Sequence, residues 1–294
     1  MIKFNVPVAQ RYVLFVCTVL LCCVIASFVA YFISRNGLSP AKINVMMVMQ
    51  DLIMFILPAL VTAMLITRTP ADFLQINRGL DLPAALLVIL LLVVSVPVMN
   101  VVVEWNASLH LPDSMASLEQ WMRQSEESAA QSVDMLLSGS TAMSLVVCVL
   151  TVGLLAGFSE ELIFRGTLQR LMVTSGVKVH IAVWVTAIIF SAVHFQFFGF
   201  VPRMLLGALF GYLVVWSGSL WIGVLAHATN NIFAALALWT AKFANAGIDV
   251  DKIGSRGSVT DLWLVIASIV FSVIILRAIY LRTRGTRTIN KAAE

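Results

Sequence analysis

Long apolar runs separated by short polar breaks dominate this chain. Runs close to the ~20 residues needed to cross hydrocarbon occupy roughly residues 12–33, 46–66, 84–103, 142–163, 180–198, 203–217, 219–240 and 260–281. The pattern predicts an all-α fold, a polytopic membrane bundle of about eight transmembrane helices. The sixth run is short and meets the seventh at Ser217-Gly218-Ser219, a tight turn between helices. The first run is longer than the roughly 7–15 residues of a signal-peptide core, and no clear small-x-small site follows it, so it reads as an anchor.

Composition agrees with the pattern. Sixty per cent of the 294 residues are hydrophobic and 12% are charged, against roughly 25% charged in a soluble domain. That excludes a soluble enzyme. The net charge of +4 is better read as topology than as nucleic-acid binding, and no nucleic-acid partner is expected. Cys17, Cys22, Cys23 and Cys148 lie in apolar stretches with neither disulfide nor zinc-ligand spacing.

Eight crossings place both termini on one side. Lys3, Arg11, Arg68, Arg78, Arg170, Lys178, Arg282, Arg284, Arg287 and Lys291 then share that side, against Arg35, Lys42, Arg123, Arg203, Lys242, Lys252 and Arg256. The bias points to cytoplasmic termini. Three segments follow: residues 1–141 with three helices and a polar loop, a core over 142–240 with helices four to seven, and a last helix with a basic tail over 241–294. In the loop, Met115, Leu118, Met122, Ala129, Val133 and Leu136 recur near helical spacing. They suggest an amphipathic helix on the membrane surface, a solvated linker being the alternative.

Chemistry enters where polar residues interrupt the apolar runs. Glu160 and Glu161 lie in the run VVCVLTVGLLAGFSEELIFR, where a charge costs about 2.5–3.5 kcal/mol on insertion scales. Glu161 has Arg165 four residues on, on the same helix face. Glu160 points about 100° away and lacks such a partner. The fifth run carries Phe190 and His194 four apart; the seventh carries His227, Asn230 and Asn231. Singly, each reads as helix glue. Together they supply a base, a proton carrier and oxyanion donors, the parts for attack of water on a carbonyl. His110 and His180 read as incidental. Asp51 is taken as interfacial or pairing, near a helix end.

Glu160-Glu161-x-x-x-Arg165, Phe190-x-x-x-His194 and His227-x-x-x-Asn231, in this order, resemble the signature of the CPBP family, the type II CAAX prenyl proteases and their many bacterial relatives. Gly218-Ser219-Leu220-Trp221 also fits, and the resemblance covers roughly 142–240. It implies an intramembrane endopeptidase acting on a membrane peptide or protein within the lipid bilayer, and a multi-pass protein of a bacterial inner membrane. Glu160 would activate water, His194 would hold that water, and His227 with Asn231 would stabilise the oxyanion. Glu161, Arg165 and Phe190 would be structural support. A non-catalytic scaffold or immunity protein of the same fold is the alternative, with a proton-coupled transporter third. No cofactor is expected and a metal-free glutamate mechanism is favoured, although two His and a Glu could also hold zinc.

Two further readings await the structure. Gly207 and Gly211 form a GxxxG suited to backbone contact between helices. His194 lies some 20 Å along its span, whereas the glutamates lie near the end of theirs, so one set of span limits must shift. Substrate identity and oligomeric state stay open.

Overall fold

Among the described residues the longer helices are α1 Val8–Ser34, α2 Pro40–Ile66, α3 Leu82–Val94, α4 Val96–Ala107, α5 Ala116–Leu136, α6 Ala142–Thr174, α7 Val179–Ala192, α8 Phe200–Ser217, α9 Leu220–Phe243 and α10 Val259–Ala293, and all but α5 carry the apolar runs. The computed structural model describes residues 4–136, 142–243, 252–255 and 257–293, with side chains as far as Arg284. Lys3, Arg256 and the side chains of Arg287 and Lys291, counted above for topology, lie outside the described residues. Among those described, β structure is limited to one isolated bridge, Phe4 to Thr67.

Local chemistry sets several helix ends. The Ser39 side chain accepts from Lys42 N with Pro40 at the first helical position, and Asp81 caps α3 by accepting from Ala84 N. Gly218 closes α8 in the left-handed region at φ +70°, which a β-carbon would oppose. The expected tight turn lies there.

Among the described residues six helices are long and apolar enough to cross a membrane, and the α3–α4 pair, bent by 50° around Ser95, makes a seventh if it is one span. The eighth expected span, 180–198, is cut short. Helix α7 ends at Ala192, about 21 Å long against ~30 Å of hydrocarbon, and the chain turns through Val193–Phe195 with Phe195 at φ +53°.

The helices alternate in direction. At one end Asn5 N donates to Ile66 O (2.8 Å), Gln75 Nε2 to Gly218 O (3.1 Å) and Arg282 Nε to Asp81 (2.8 Å). At the other, Asn106 Nδ2 donates to Phe197 O (3.2 Å), and Asn100 Nδ2 to Ile253 O (3.0 Å). The core draws on α2, the short helical turn Pro70–Leu74, α3 and α6 to α10, and includes Phe73, Leu91, Leu162, Phe190, Phe210, Leu220 and Ile279. Val13, Leu20 and Phe28 on α1, and Trp263 and Phe271 on α10, face outward, as a lipid-facing surface requires.

Helix α6 corrects the expected limit of 163. It continues to Thr174 because Arg165 and Gln169, polar by sequence, donate hydrogen bonds inside the protein rather than to water. This also removes the mismatch in depth: Glu160 lies about 20 Å before Thr174 and His194 about 20 Å beyond Val179. Both chains leave the same short turn.

The polar loop contains a helix, α5, rather than a linker. It packs over the segment that follows His194. The Trp121 and Phe197 rings meet at 5.4 Å, the Arg123 guanidinium lies 4.2 Å over the Phe198 ring, and Phe198 N donates to Glu126 Oε2 at 3.0 Å. Lys242 Nζ on α9 pairs with Asp134 at 2.5 Å.

Candidate active site

Three stretches of π-helix surround the polar residues: Asp51–Ile56 in α2, and Val149–Leu155 and Leu162–Gln169 in α6. A π turn breaks the regular i→i−4 ladder and re-aims side chains, which is why such turns gather at functional sites. Between the two in α6 sits the short regular block Ala156–Glu161, carrying both glutamates.

Glu161 is fully enclosed. Arg165 Nη1 donates to its Oε1 at 2.5 Å, and neither side chain is exposed at all. The guanidinium also donates from Nη2 to Gly207 O (2.7 Å) and lies 4.6 Å from the Phe190 ring centroid. Gly207 permits this approach, since a β-carbon there would sit 3.2 Å from Arg165 Nη2. One turn on, Gln169 Nε2 donates to Gly211 O (3.1 Å). The GxxxG of α8 therefore receives two polar side chains from α6, a use the backbone-contact expectation did not include.

His227 touches both glutamates. Its Nδ1 lies 3.0 Å from Glu161 Oε1, and its Nε2 3.8 Å from Glu160 Oε2. Glu161, ionised beside Arg165, only accepts, so His227 Nδ1–H is the donor. The ring stacks on Phe210 (5.2 Å, 27°) and meets the edge of Phe190 at 5.6 Å.

His194 approaches Glu160 from the end of α7. Its Nδ1–H donates to Phe190 O at 2.7 Å, and its Nε2 lies 3.6 Å from Glu160 Oε2. In the neutral ring, the donation from Nδ1 leaves Nε2 an acceptor. Glu160 Oε2 thus faces two imidazole nitrogens at distances too long for direct hydrogen bonds, and it is buried with no hydrogen-bond partner among the described residues. Two acceptors facing one another are reconciled by a proton donor between them. A water giving one hydrogen to each fits, because a third atom ~2.8 Å from both closes a triangle on a 3.6 Å side.

Asn231 stands one turn beyond His227 on α9. Its Nδ2 donates to Val152 O (3.0 Å) in the π stretch of α6, and Asn230 Nδ2 donates to its Oδ1 (3.4 Å). The structure thus gathers Glu160, His194 and His227 with Glu161, Arg165 and Phe190 around them, and ties Asn231 to α6. Among the described residues no three His, Cys, Asp or Glu side chains are grouped as a metal site. His180 pairs with Tyr212 Oη (2.8 Å), and His110 with Glu119 (3.0 Å), both away from this cluster.

Two residues escaped the sequence reading. Asp51 is not near a helix end: α2 begins at Pro40, Asp51 is 5% exposed, and Ser159 Oγ donates to its Oδ1 at 2.7 Å. The signal was an acid inside an apolar run. Nothing local marks Ser159.

Comparison with known proteins bears on the same stretch. Residues 142–233 match the model of the Rce1-like type II CAAX prenyl endopeptidases. This stretch, which carries Glu160, His194, His227 and Asn231, is thus similar to that family. Within 78 residues the chain is 33% identical to the uncharacterized protein YpbD of Bacillus subtilis (strain 168), a match covering 25% of this chain and 36% of that protein. The chain thus spans about a third of the length of that curated relative. No solved structure matches it. The protein is a multi-pass helical membrane protein in which residues 142–233 resemble the CAAX-type endopeptidases.

Proposed function

We propose that the protein is an intramembrane endopeptidase that hydrolyses a peptide bond in a membrane-associated peptide or protein. One observation carries this reading: Glu160 Oε2 faces His194 Nε2 at 3.6 Å and His227 Nε2 at 3.8 Å within a membrane bundle. Water held between Glu160 and His194 loses a proton to Glu160 and attacks the substrate carbonyl carbon. His227 Nε2 and an Asn231 Nδ2 hydrogen then stabilise the oxyanion. A ring that gives Nδ1–H to Glu161 donates from Nε2 only when doubly protonated, and Glu161 supplies the counter-charge. The proton on Glu160 passes to the leaving amine as the C–N bond breaks, which returns the base to its starting state.

The reaction is metal-free in this reading, because each imidazole has a defined hydrogen-bonding task. Purified protein should hold well below one equivalent of zinc and keep its activity after exhaustive chelation. One zinc per active chain, lost and regained together with activity, would replace Glu160 as a free base by Glu160 as a ligand.

The termini are proposed to be cytoplasmic, following the Lys and Arg distribution. Reporter fusions at Arg284 and at Pro112 should report opposite compartments, with Arg284 inside. Membrane peptidomics of cells carrying wild type or Glu160→Ala identifies the substrate: a peptide that accumulates uncut in the variant alone is expected. Identical peptidomes would favour a non-catalytic scaffold.

A further inference from the structure

The mechanism leaves one buried acid unused. Asp51 lies about 16 Å along α2, its described hydrogen bond comes from Ser159 Oγ, and no basic side chain pairs with it among the described residues. A carboxyl at this depth is costly enough to mark function by default. The titratable groups near it are Glu160 and His227.

The fold of α6 shows what such a contact can do. The block Ala156–Glu161 has a π stretch on each side, so its rotation is not dictated by an unbroken regular helix. Outside contacts must set it. On one side Gly157 packs against α9 so closely that a β-carbon would lie 3.0 Å from Ala228 N. On the other, Ser159 reaches α2. Its single proton has two acceptors, Asp51 Oδ1 at 2.7 Å and Ala156 O at 3.2 Å. The bond to Asp51 is the shorter. Without Asp51 the hydroxyl would fall back on Ala156, a bond within its own helix that holds nothing in place. Ser159 is fully buried and directly precedes Glu160.

We propose that Asp51 is a positioning residue of the catalytic centre: through Ser159 it fixes the turn of α6 that aims Glu160 at the two imidazoles. The proposal rests on the peptidase reading above. It assigns α2, outside the stretch that matches the family model, a part in the chemistry.

The test compares wild type, Asp51→Ala, Ser159→Ala, the double variant and Asp51→Asn. Substrate is the peptide cleaved best from an internally quenched library in phosphatidylethanolamine–phosphatidylglycerol vesicles, and unfolding is followed by heating in detergent. Each alanine variant should lower kcat about 10–100-fold per folded molecule, the scale of a small misplacement, with KM within about twofold. The double variant should be no slower than the slower single one, since both remove one contact. Asp51→Asn keeps an acceptor oxygen and should recover most of kcat. The proposal falls if Asp51→Ala keeps wild-type kcat, if the two losses multiply, or if Asp51→Asn is as slow as Asp51→Ala. Wild type that cleaves no library peptide sinks the peptidase reading instead. Melting temperatures of the same proteins then judge the anchor: non-additive shifts support it and additive shifts overturn it.

Discussion

The molecule contains the same trio of side chains twice. On α5, Glu119 accepts from Arg123 four residues on (2.6 Å) and lies 3.0 Å from His110 Nδ1. On α6, Glu161 accepts from Arg165 four residues on (2.5 Å) and lies 3.0 Å from His227 Nδ1. The distances are almost identical but the surroundings are not. In the first trio the His110 and Arg123 side chains are 71% and 46% exposed; in the second Glu161 and Arg165 are wholly buried and His227 is 6% exposed. Water competes for every bond in the α5 trio, so it fastens a surface helix loosely. In the α6 trio the charges meet each other away from water, with Glu161 Oε2 and Arg165 Nε lacking a hydrogen-bond partner among the described residues, and the second nitrogen of His227 is aimed at Glu160. Burial turns a surface ion pair into the frame of the proposed reaction centre.

The largest expected effect comes from breaking the buried trio. Glu161→Gln leaves Arg165 charged and without its counter-ion, which should cost about 3–5 kcal/mol and lower the melting temperature in detergent. Arg165→Met should do comparable damage by stranding Glu161. A Glu161→Gln protein as stable as wild type would show that the trio is no frame. Next is Asn231→Ala, which leaves both trios intact and should reduce kcat by about 10²–10³, the cost of one oxyanion donor. A loss confined to KM would instead assign Asn231 to substrate binding.

The exposed trio should respond least. Glu119 is held well below the usual carboxylate range, at about 2, first by the Arg123 hydrogen bond and then by Leu111 N and His110. A depressed pKa stabilises the folded form above the ordinary value of 4.5 and loses that contribution as pH falls towards about 2. Trp121 emission, which reports α5 against Phe197, should stay constant from neutral pH to about 5 and change below it. Glu119→Gln should shift the melting temperature little, and high salt should shrink even that. A change as large as that of Glu161→Gln would erase the contrast between the two trios.

How much of this was legible before the structure depends on the range of each contact. Glu161 with Arg165 was readable because both lie on one helix at i, i+4 spacing. The convergence of His194 and His227 on Glu160 joins three helices, and periodicity carries no such information; the family resemblance supplied it. Span limits failed at Arg165 and Gln169, because hydropathy measures transfer into lipid. These side chains enter the protein interior instead, donating to Gly207 O and Gly211 O. Asp51 failed for a similar reason, its partner Ser159 standing 108 residues away. The π stretches that isolate the Glu160 block leave no mark in the apolar pattern.

The most direct test of the central claim is peptide hydrolysis in ¹⁸O-labelled water by wild type and Glu160→Gln, with melting temperatures measured on the same samples. Wild type should place one labelled oxygen in the new carboxyl group. Glu160→Gln should melt like wild type and cleave nothing, since an amide of the same shape cannot take the proton of the attacking water. Cleavage by Glu160→Gln at the wild-type rate would contradict the account.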